Sequence, residues 1–448
     1  MSLNSNEIPN SIQIKFFGQK TILSDFQIDS RKVKQNSVFV ALEGTQVDGH
    51  KFIEKAFQSG ASTCVVSENW FNENGQNFLG KNFMVGKTSL SALQELAKIY
   101  RSQLTTKIIG LTGSNGKTTT KDLLFEVLSQ KFKTYKTPGN FNNHIGLPLA
   151  ILGIPKETEI AVIEMGANHV GEIAELCEIA QPEFGLITNV GRSHIGEFGS
   201  EENILKAKTE LFRWLDKCSG KAFVNSDDLR LIDLSPENPI TYGIKRKPNF
   251  LGIVHKLSTS STPIFSVNNS KEIHLKTFGE HNIFNSLSAF AVGREFGISE
   301  EKIISVLENF DGVSGRFGIK KINGVNFIDD SYNSNPESTF AGLETLSKFP
   351  SGKKIAVLGE MLELGEFSQE LHAEVGRKAK ELKIDLVLTF GKNAKFIAEN
   401  FNGFHFDSKE KLVKKLREEV SEGDFVLVKG SRGMKMEEVI NQMQNKEN

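Results

Sequence analysis

A glycine-rich turn between a short apolar run and a helical pattern constrains this chain more than any other segment. Residues 107–111 predict a buried strand, Lys117 opens a predicted helix, and Thr112-Gly-Ser-Asn-Gly116 lies between them. Backbone N–H groups of such a turn can converge on an anion, and the helix N-terminus adds positive potential. The strict phosphate-loop spacing would place a glycine where Leu111 stands. We therefore predict a variant phosphate-binding loop.

The residues of this loop have separate predicted roles. Lys117 is expected to reach the β- and γ-phosphates of a nucleotide, and the Thr118 hydroxyl is expected to bind Mg²⁺. The alternative is an ordinary glycine turn without a ligand, but a Gly-Lys-Thr sequence directly after a strand favours phosphate. The predicted ATP-binding residues of the loop are Gly113, Ser114, Asn115, Gly116, Lys117, Thr118 and Thr119.

Length and composition narrow the class of protein. A chain of 448 residues is too long for one core, so several domains are expected. Its 54 basic and 55 acidic residues nearly balance, which gives no indication of a nucleic-acid partner. No apolar run approaches membrane-spanning length, so no membrane insertion is expected. The three cysteines are scattered without paired spacing, which is typical of a reducing compartment, and we expect a cytoplasmic protein.

Alternating strand and helix patterns predict an α/β fold in three regions. Residues 1–103 predict a small N-terminal α/β domain. Residues 104–311 predict a central, doubly wound and mostly parallel sheet that carries the phosphate loop. The alternation restarts in residues 312–448, which predict a C-terminal Rossmann-like domain after a glycine-rich boundary.

Two further polar side chains follow predicted strands of the central region. Glu164 ends the strand predicted at residues 159–165, and His194 follows the strand predicted at residues 184–190. Ligands of open α/β sheets bind at the carboxyl ends of the strands. If the three strands are neighbours, Glu164 and His194 converge on the phosphate loop and could bind Mg²⁺. Each alone could equally be structural.

The predicted helix at residues 201–216 contains an unusual lysine. Lys208 occupies the vacant place in an inward-facing stripe formed by Ile204, Leu205, Leu211, Phe212 and Leu215. Burial would lower the pKa of such an amine, which suggests a functional lysine that is not simply an ammonium. The alternative is a lysine at the edge of the stripe that extends its amine to water.

Several polar loops are candidate ligand sites with a plainer alternative. Asn140, Asn142 and Asn143 could bind a ligand or form turns. Asn282 and Asn285 lie on one helix face, where they could bind a nucleotide or cap the helix. Arg31 could bind a phosphate or remain a solvated loop residue.

Together these loops resemble the Mur ligases, which are ATP-dependent amide-bond-forming enzymes of peptidoglycan precursor synthesis. The resemblance covers nearly the whole chain. Within the family, four motifs are similar to the member that adds D-alanyl-D-alanine. The resemblance rests on residues 112–119, 139–146, 164–169, the loop of His194, and residues 207–212, 279–285, 314–317, 329–336, 428–432 and 436–439.

The resemblance implies roles for individual residues. It implies that Ser30 and Arg31 bind a UDP-sugar in the first domain, and that Lys117, Lys208 and His194 are catalytic. The implied nucleotide contacts outside the loop are Asn282, Asn285, Arg316 and Asp330. The other implied substrate contacts are Asn140, Asn142, Asn143, Tyr332, Asn335, Ser431 and Arg432. The implied metal ligands are Thr118, Glu164, His194 and Lys208, the last as a carbamate derived from CO₂.

The activity implied by the resemblance is activation of a carboxylate. ATP would phosphorylate the C-terminal carboxylate of UDP-N-acetylmuramoyl-tripeptide, and the amine of D-alanyl-D-alanine would attack the acyl phosphate. Domain closure around residues 312–316 is the expected gate, and a monomer is expected. The alternatives are a diamino-acid-adding or folylpolyglutamate-type ligase of the same superfamily, or a P-loop regulatory NTPase that makes no amide.

Overall fold

The computed structural model describes residues 3–8, 14–44, 47–257 and 262–444. Within these ranges, three sheets follow one another along the chain, each with helices packed on it. The predicted α/β class is confirmed. The boundaries near residues 103 and 311 stay predictions. Across the same ranges, no helix is both long enough and apolar enough to cross a membrane.

The first sheet has the strand order β1-β3-β4-β5-β6-β2 in the described residues. Its strands are β1 (Leu3–Asn4), β2 (Ile14–Phe17), β3 (Ile22–Gln27), β4 (Ser37–Val40), β5 (Thr63–Ser67) and β6 (Phe83–Gly86). Its helices are α1 (Ile53–Gln58), α2 (Glu68–Asn74) and α3 (Ser89–Ser102). The strands from β3 to β6 are parallel neighbours, and their fully buried positions form the core of this region.

The central sheet has the order β15-β14-β13-β12-β11-β10-β7-β9-β8 in the described residues. Its strands are β7 (Lys107–Thr112), β8 (Thr134–Lys136), β9 (Ile160–Glu164), β10 (Phe184–Ile187), β11 (Lys221–Asn225), β12 (Ile240–Gly243), β13 (Phe250–Leu257), β14 (Pro263–Val267) and β15 (Ile273–His274). Its helices are α4 (Lys117–Leu128), α5 (Gly146–Leu152), α6 (Glu172–Ala180), α7 (Ile195–Phe198), α8 (Glu201–Lys208), α9 (Glu210–Cys218), α10 (Leu229–Asp233), α11 (His281–Glu295) and α12 (Glu300–Asn309). Strand β7 lies between β10 and β9 and is parallel to both, as the placement of the predicted site required.

The third sheet has the order β16-β17-β21-β18-β19-β20 in the described residues. Its strands are β16 (Gly318–Ile322), β17 (Val325–Asp330), β18 (Lys354–Gly359), β19 (Leu386–Phe390), β20 (Phe404–Phe406) and β21 (Phe425–Lys429). Its helices are α13 (Pro336–Ser347), α14 (Ser368–Glu381), α15 (Lys395–Phe401), α16 (Lys409–Glu419) and α17 (Glu437–Gln444). Only β16 runs antiparallel to its neighbour, so the described strands from β17 to β20 form a parallel sheet as predicted.

The prediction of one continuous helix over residues 201–216 is wrong. The chain breaks at Thr209, whose ψ of 0° ends α8 before α9 begins at Glu210. The Thr209 hydroxyl donates to the Leu205 carbonyl at 2.8 Å, and Glu210 turns toward the start of α6. Threonine and glutamate side chains that bond to backbone groups favour such a break over a continued helix. Lys208 therefore lies at the end of a helix.

Helix α3 joins the first region to the central one through a buried hydroxyl. Tyr100 is fully buried, and its hydroxyl donates to the Ile154 carbonyl at 2.6 Å. Burial raises the pKa of Tyr100 to about 12, so the donor stays protonated at neutral pH.

We expect Tyr100→Phe to destabilise the chain, because it leaves the Ile154 carbonyl without this donor. The free energy of unfolding should fall by about 1–3 kcal/mol. Urea denaturation followed by circular dichroism measures the change. Ser102→Ala is the matched control, because Ser102 is exposed on the same helix. Equal midpoints for Tyr100→Phe and the wild type would contradict the role of this hydrogen bond.

Candidate active site

The phosphate loop takes the backbone conformation that its glycines predict. Gly113 has φ 144° and Gly116 has φ 80°, both in the left-handed region that favours glycine. A side chain at position 113 would also collide with the Thr188 hydroxyl at the end of β10. That hydroxyl donates to the Asn115 carbonyl at 2.6 Å, so the loop is fastened to the neighbouring strand. The loop is therefore preshaped at the N-terminus of α4.

Lys117 folds back onto this loop. Its Nζ donates to the Gly113 carbonyl at 2.7 Å. Burial lowers the pKa of Lys117, the carboxylate of Glu164 raises it, and the charge of Arg316 lowers it. The charges of Glu164 and Arg316 therefore both act on the Lys117 amine, which indicates that these three side chains lie close to one another.

Glu164 lies at the end of β9 with its carboxylate buried. Its Oε1 accepts a hydrogen bond from Asn142 Nδ2 at 2.8 Å, and Lys121 Nζ lies 3.3 Å from Oε2. Asn142 therefore contacts Glu164. The Asn143 side chain instead accepts a hydrogen bond from the Gly146 amide, at the first residue of α5, at 2.8 Å. For Asn140 the structure records a backbone contact, in which its carbonyl accepts from the Asn142 amide at 2.8 Å.

Lys208 is buried, as its place in the apolar stripe predicted, with 2% of the residue exposed. Its amine lies 5.5 Å from the centre of the Phe198 ring and forms no ion pair with any residue in the described ranges. Burial lowers its pKa to about 7, with a further lowering from Lys117 and an opposing effect of Glu172 and Glu210. A large part of the Lys208 population is therefore an uncharged amine at neutral pH.

His194 contacts the third region. It has φ 57° at the start of α7, and its Nδ1 pairs with the Glu363 carboxylate. This pairing lowers the pKa of Glu363 through the hydrogen bond from His194. Across the described parts of the chain, no group of three or more His, Cys, Asp or Glu residues is arranged to hold a metal ion. Any cation here would therefore need ligands from the nucleotide or from hydroxyl groups as well.

Residues of the third region reach the phosphate loop directly. Arg316 Nη2 donates to the Thr118 hydroxyl at 3.2 Å, and Asn335 Nδ2 donates to Asn115 Oδ1 at 2.7 Å. The guanidinium of Arg316 also lies 4.4 Å from the centre of the Tyr332 ring. The predicted contacts on both sides of the residue 312–316 boundary thus meet at one cleft.

The two predicted asparagines of α11 lie against the same loop. Asn285 Oδ1 accepts from the Thr120 hydroxyl at 3.2 Å, and its Nδ2 donates to Asn282 Oδ1 at 2.9 Å. A side chain on Gly116 would lie 2.8 Å from Asn285 Oδ1, so the glycine permits this close approach. Both amides are buried at the start of α11, and Asn282 Nδ2 donates to the Phe278 carbonyl at 2.7 Å.

The remaining predicted residues are held by protein groups. Asp330 pairs with Lys429 at 2.6 Å. Ser431 Oγ accepts from the Leu362 amide at 2.8 Å, and Arg432 pairs with Glu437 at 3.0 Å. In the first region, Ser30 is buried. Arg31 pairs with Asp29 at 2.8 Å and leaves 80% of its side chain exposed, which agrees with the solvated-loop alternative.

Sequence reasoning missed three charged residues of this cleft. Lys121 stands four residues after Lys117, so helical spacing could have placed both on one face of α4. Arg192 pairs with Glu337 at 2.7 Å and Glu374 at 2.9 Å. No sequence signal marks Arg192 or Glu363, because their partners are distant in the chain.

We expect Arg192→Met to loosen the contact between the central and third regions, because Glu337 and Glu374 lose their shared cation. The Gly196 amide, which donates to the Glu363 carbonyl at 3.0 Å, reports on this contact. Its hydrogen exchange should become faster by about tenfold, measured by mass spectrometry of peptides covering residues 192–199.

Arg377→Met is the matched control for this exchange experiment. Arg377 pairs with Glu370 at 2.6 Å on the exposed surface of the third region, so its loss should leave residues 192–199 unchanged. Unchanged exchange in Arg192→Met would show that the ion pairs do not hold the two regions together.

Comparison with known proteins extends over the whole cleft. Residues 24–100 match the model described as Mur ligase family, catalytic domain. Residues 111–293 match the Mur ligase middle domain, and residues 315–432 match the Mur ligase, glutamate ligase domain. The matched segments correspond to the three sheets.

Individual relatives agree with these family models. A UDP-N-acetylmuramoyl-tripeptide–D-alanyl-D-alanine ligase from Bacillus subtilis is 37% identical over 94% of this chain and 93% of its own length. The crystal structure of MurF from Acinetobacter baumannii superposes with a TM-score of 0.87 at 30% identity, covering 95% of this chain and 94% of that one. The MurF ligase from Thermotoga maritima in complex with ADP gives a TM-score of 0.83 at 32% identity, covering 94% of this chain and 97% of that one. The chain belongs to the Mur ligase family.

Proposed function

We propose that this chain is an ATP-dependent ligase that joins D-alanyl-D-alanine to the C-terminal carboxylate of UDP-N-acetylmuramoyl-tripeptide, in the synthesis of peptidoglycan precursors. The identity of the two substrates is supported by the activity named for the relatives that match along nearly the full chain. One observation carries the chemistry: Arg316 and Asn335 of the third region reach the phosphate loop at Thr118 and Asn115. A nucleotide bound there would be enclosed between two regions.

The reaction requires a phosphoryl group to pass from ATP to a carboxylate. The carboxylate oxygen attacks the γ-phosphorus, ADP leaves, and the resulting acyl phosphate loses phosphate when the dipeptide amine attacks its carbonyl carbon. Phosphoryl transfer depends mainly on positioning and charge neutralisation. Lys117 and Arg316 would supply positive charge beside the phosphates, and the loop amides would bind the phosphate oxygens.

The polar groups of the cleft fit Mg²⁺. Glu164 presents a buried Oε2 that accepts no hydrogen bond within the described residues, and the Thr118 hydroxyl lies in the first turn of α4, directly after the phosphate loop. Few protein ligands are expected, because Mg²⁺ is commonly held by one or two carboxylates together with substrate phosphates. Bound Mg²⁺ would neutralise charge on the transferring phosphoryl group.

His194 and Lys208 fit a second position for such a cation. His194 Nδ1 is held by Glu363, which leaves Nε2 as the free ligand atom. The buried Lys208 amine, whose pKa is lowered to about 7, has the uncharged form that reacts with CO₂ to give a carbamate. In this proposal the carbamate oxygens would be ligands of the second cation.

Each of the three regions would have a separate role in the reaction. We assign UDP-sugar binding to residues 1–103 through Ser30 and Arg31, ATP binding to residues 104–311, and completion of the site to residues 312–448. The dipeptide side of the cleft would be lined by Tyr332, Ser431 and Arg432. We propose that the protein acts as a monomer. A cytoplasmic location is supported by three free cysteines in the described ranges.

Product analysis tests this proposal. Purified protein with Mg-ATP should release phosphate, and mass spectrometry should show UDP-N-acetylmuramoyl-pentapeptide, only when the UDP-tripeptide and D-alanyl-D-alanine are both present. Equal turnover with glutamate and a folate would indicate the folylpolyglutamate-type alternative. ADP without any peptide product would indicate a regulatory NTPase.

A further inference from the structure

Lys121 is a buried cation that the mechanism above does not use. It lies one turn after Lys117 on α4, with 2% of the residue exposed. Its Nζ donates to the Gly139 carbonyl at 2.9 Å and lies 3.3 Å from Glu164 Oε2. A buried ammonium is retained only where such partners compensate its lost hydration.

The contacts of Lys121 close a ring around Glu164. Asn142 donates to the other carboxylate oxygen at 2.8 Å, and the Asn142 carbonyl accepts from the Gly166 amide at 2.7 Å. Gly139 and Asn142 belong to the same polar loop, which leads from β8 to α5. Helix α4, strand β9 and this loop are thus joined through one carboxylate and one ammonium.

The geometry points to Lys121 as a positioning residue that serves as the resident counter-ion of Glu164 and fastens the loop of residues 137–143. This inference rests on the proposed function, in which Glu164 Oε2 binds a divalent cation. That cation and the Lys121 ammonium compete for the same oxygen. When the cation occupies Glu164, the Gly139 carbonyl would remain as the partner of Lys121. Because Gly139 belongs to the loop of residues 137–143, this loop would respond to cation binding.

Removing the Lys121 ammonium has two opposing effects on the affinity of Glu164 for the divalent cation. The larger of the two decides whether the affinity rises or falls. Lys121→Met removes a positive charge 3.3 Å from the oxygen, which favours the divalent cation strongly at a buried position. It also removes one group that orients the carboxylate, but the hydrogen bond from Asn142 remains. We therefore expect tighter cation binding together with a loop that no longer responds.

Mn²⁺ binding to the full-length protein with ADP, followed by electron paramagnetic resonance of free Mn²⁺, tests the first part. Lys121→Met and Lys121→Gln should bind Mn²⁺ about five- to tenfold more tightly than the wild type. Lys121→Arg should stay within about twofold, because it keeps the charge. Lys131→Met is the matched control, because its amine contacts the Phe296 and Gly297 carbonyls, both at 3.1 Å. Unchanged or weaker Mn²⁺ binding in both uncharged variants overturns the inference.

Hydrogen exchange of peptides covering residues 137–143 tests the second part. Mn²⁺ should change their exchange in the wild type and in Lys131→Met, and should not change it in Lys121→Met or Lys121→Gln. The same Mn²⁺-dependent change in the uncharged variants overturns the coupling. Neither readout requires peptide synthesis, so a wild type that makes no pentapeptide would contradict the proposed function without deciding this inference.

Discussion

Lys208→Ala is expected to lower the rate of peptide formation by about 10²–10³-fold, the usual cost of removing a group that stabilises transition-state charge. The physical reason is that the Lys208 amine is largely uncharged. Lys208 is buried without an ion-pair partner among the described residues, and its pKa is lowered to about 7. An uncharged amine can react with CO₂, and the carbamate that we propose would supply a negative group that alanine cannot.

Two measurements check this role. Short carboxylic acids should restore part of the activity of Lys208→Ala, because they can place a carboxylate in the space that the side chain leaves. Protein equilibrated with ¹³C-labelled CO₂ should show a carbamate carbon signal by NMR in the wild type and lose it in the variant. Lys206→Ala is the matched control, because Lys206 is exposed on the same helix. Intact activity in Lys208→Ala would show that the buried amine has no part in the reaction.

The position of the phosphate loop and of Glu164 at the ends of neighbouring strands could be predicted from sequence. Strand-end position and helical spacing are local patterns, and the parallel order β10-β7-β9 then places the strand ends together. Helical spacing also predicted the burial of Lys208, because it places this lysine in the vacant position of an apolar stripe that faces the core.

Contacts between regions could not be predicted in this way. One such contact is the pairing of His194 Nδ1 with Glu363 of the third region. Arg192 likewise finds Glu337 and Glu374, far along the chain. Such ion pairs depend on how one folded region packs against another. Local sequence periodicity carries no information about that packing. The break at Thr209 was missed for a different reason, because single side-chain bonds to the backbone override a continuous helical pattern.

Lys117→Met is expected to lower the rate of ATP-dependent peptide formation by about 10³-fold, since a positioned charge on the transferring phosphate is lost. Its effect on folding should be small. In the described structure Lys117 forms no ion pair, and its amine donates to carbonyls of its own loop at 2.7 and 3.4 Å. Replacing this half-buried lysine by an apolar side chain of similar length removes a desolvation cost that offsets the lost hydrogen bonds.

The free energy of unfolding of Lys117→Met should therefore stay within about 1 kcal/mol of the wild type, measured by urea denaturation. Isothermal titration with ADP separates binding from catalysis, and the variant should bind ADP more weakly. Lys107→Met, at the exposed start of strand β7 that leads into the loop, is the matched control and should retain activity. A variant that loses several kcal/mol of stability along with its activity would show that Lys117 holds the loop together, and that its charge is not chiefly directed at the nucleotide.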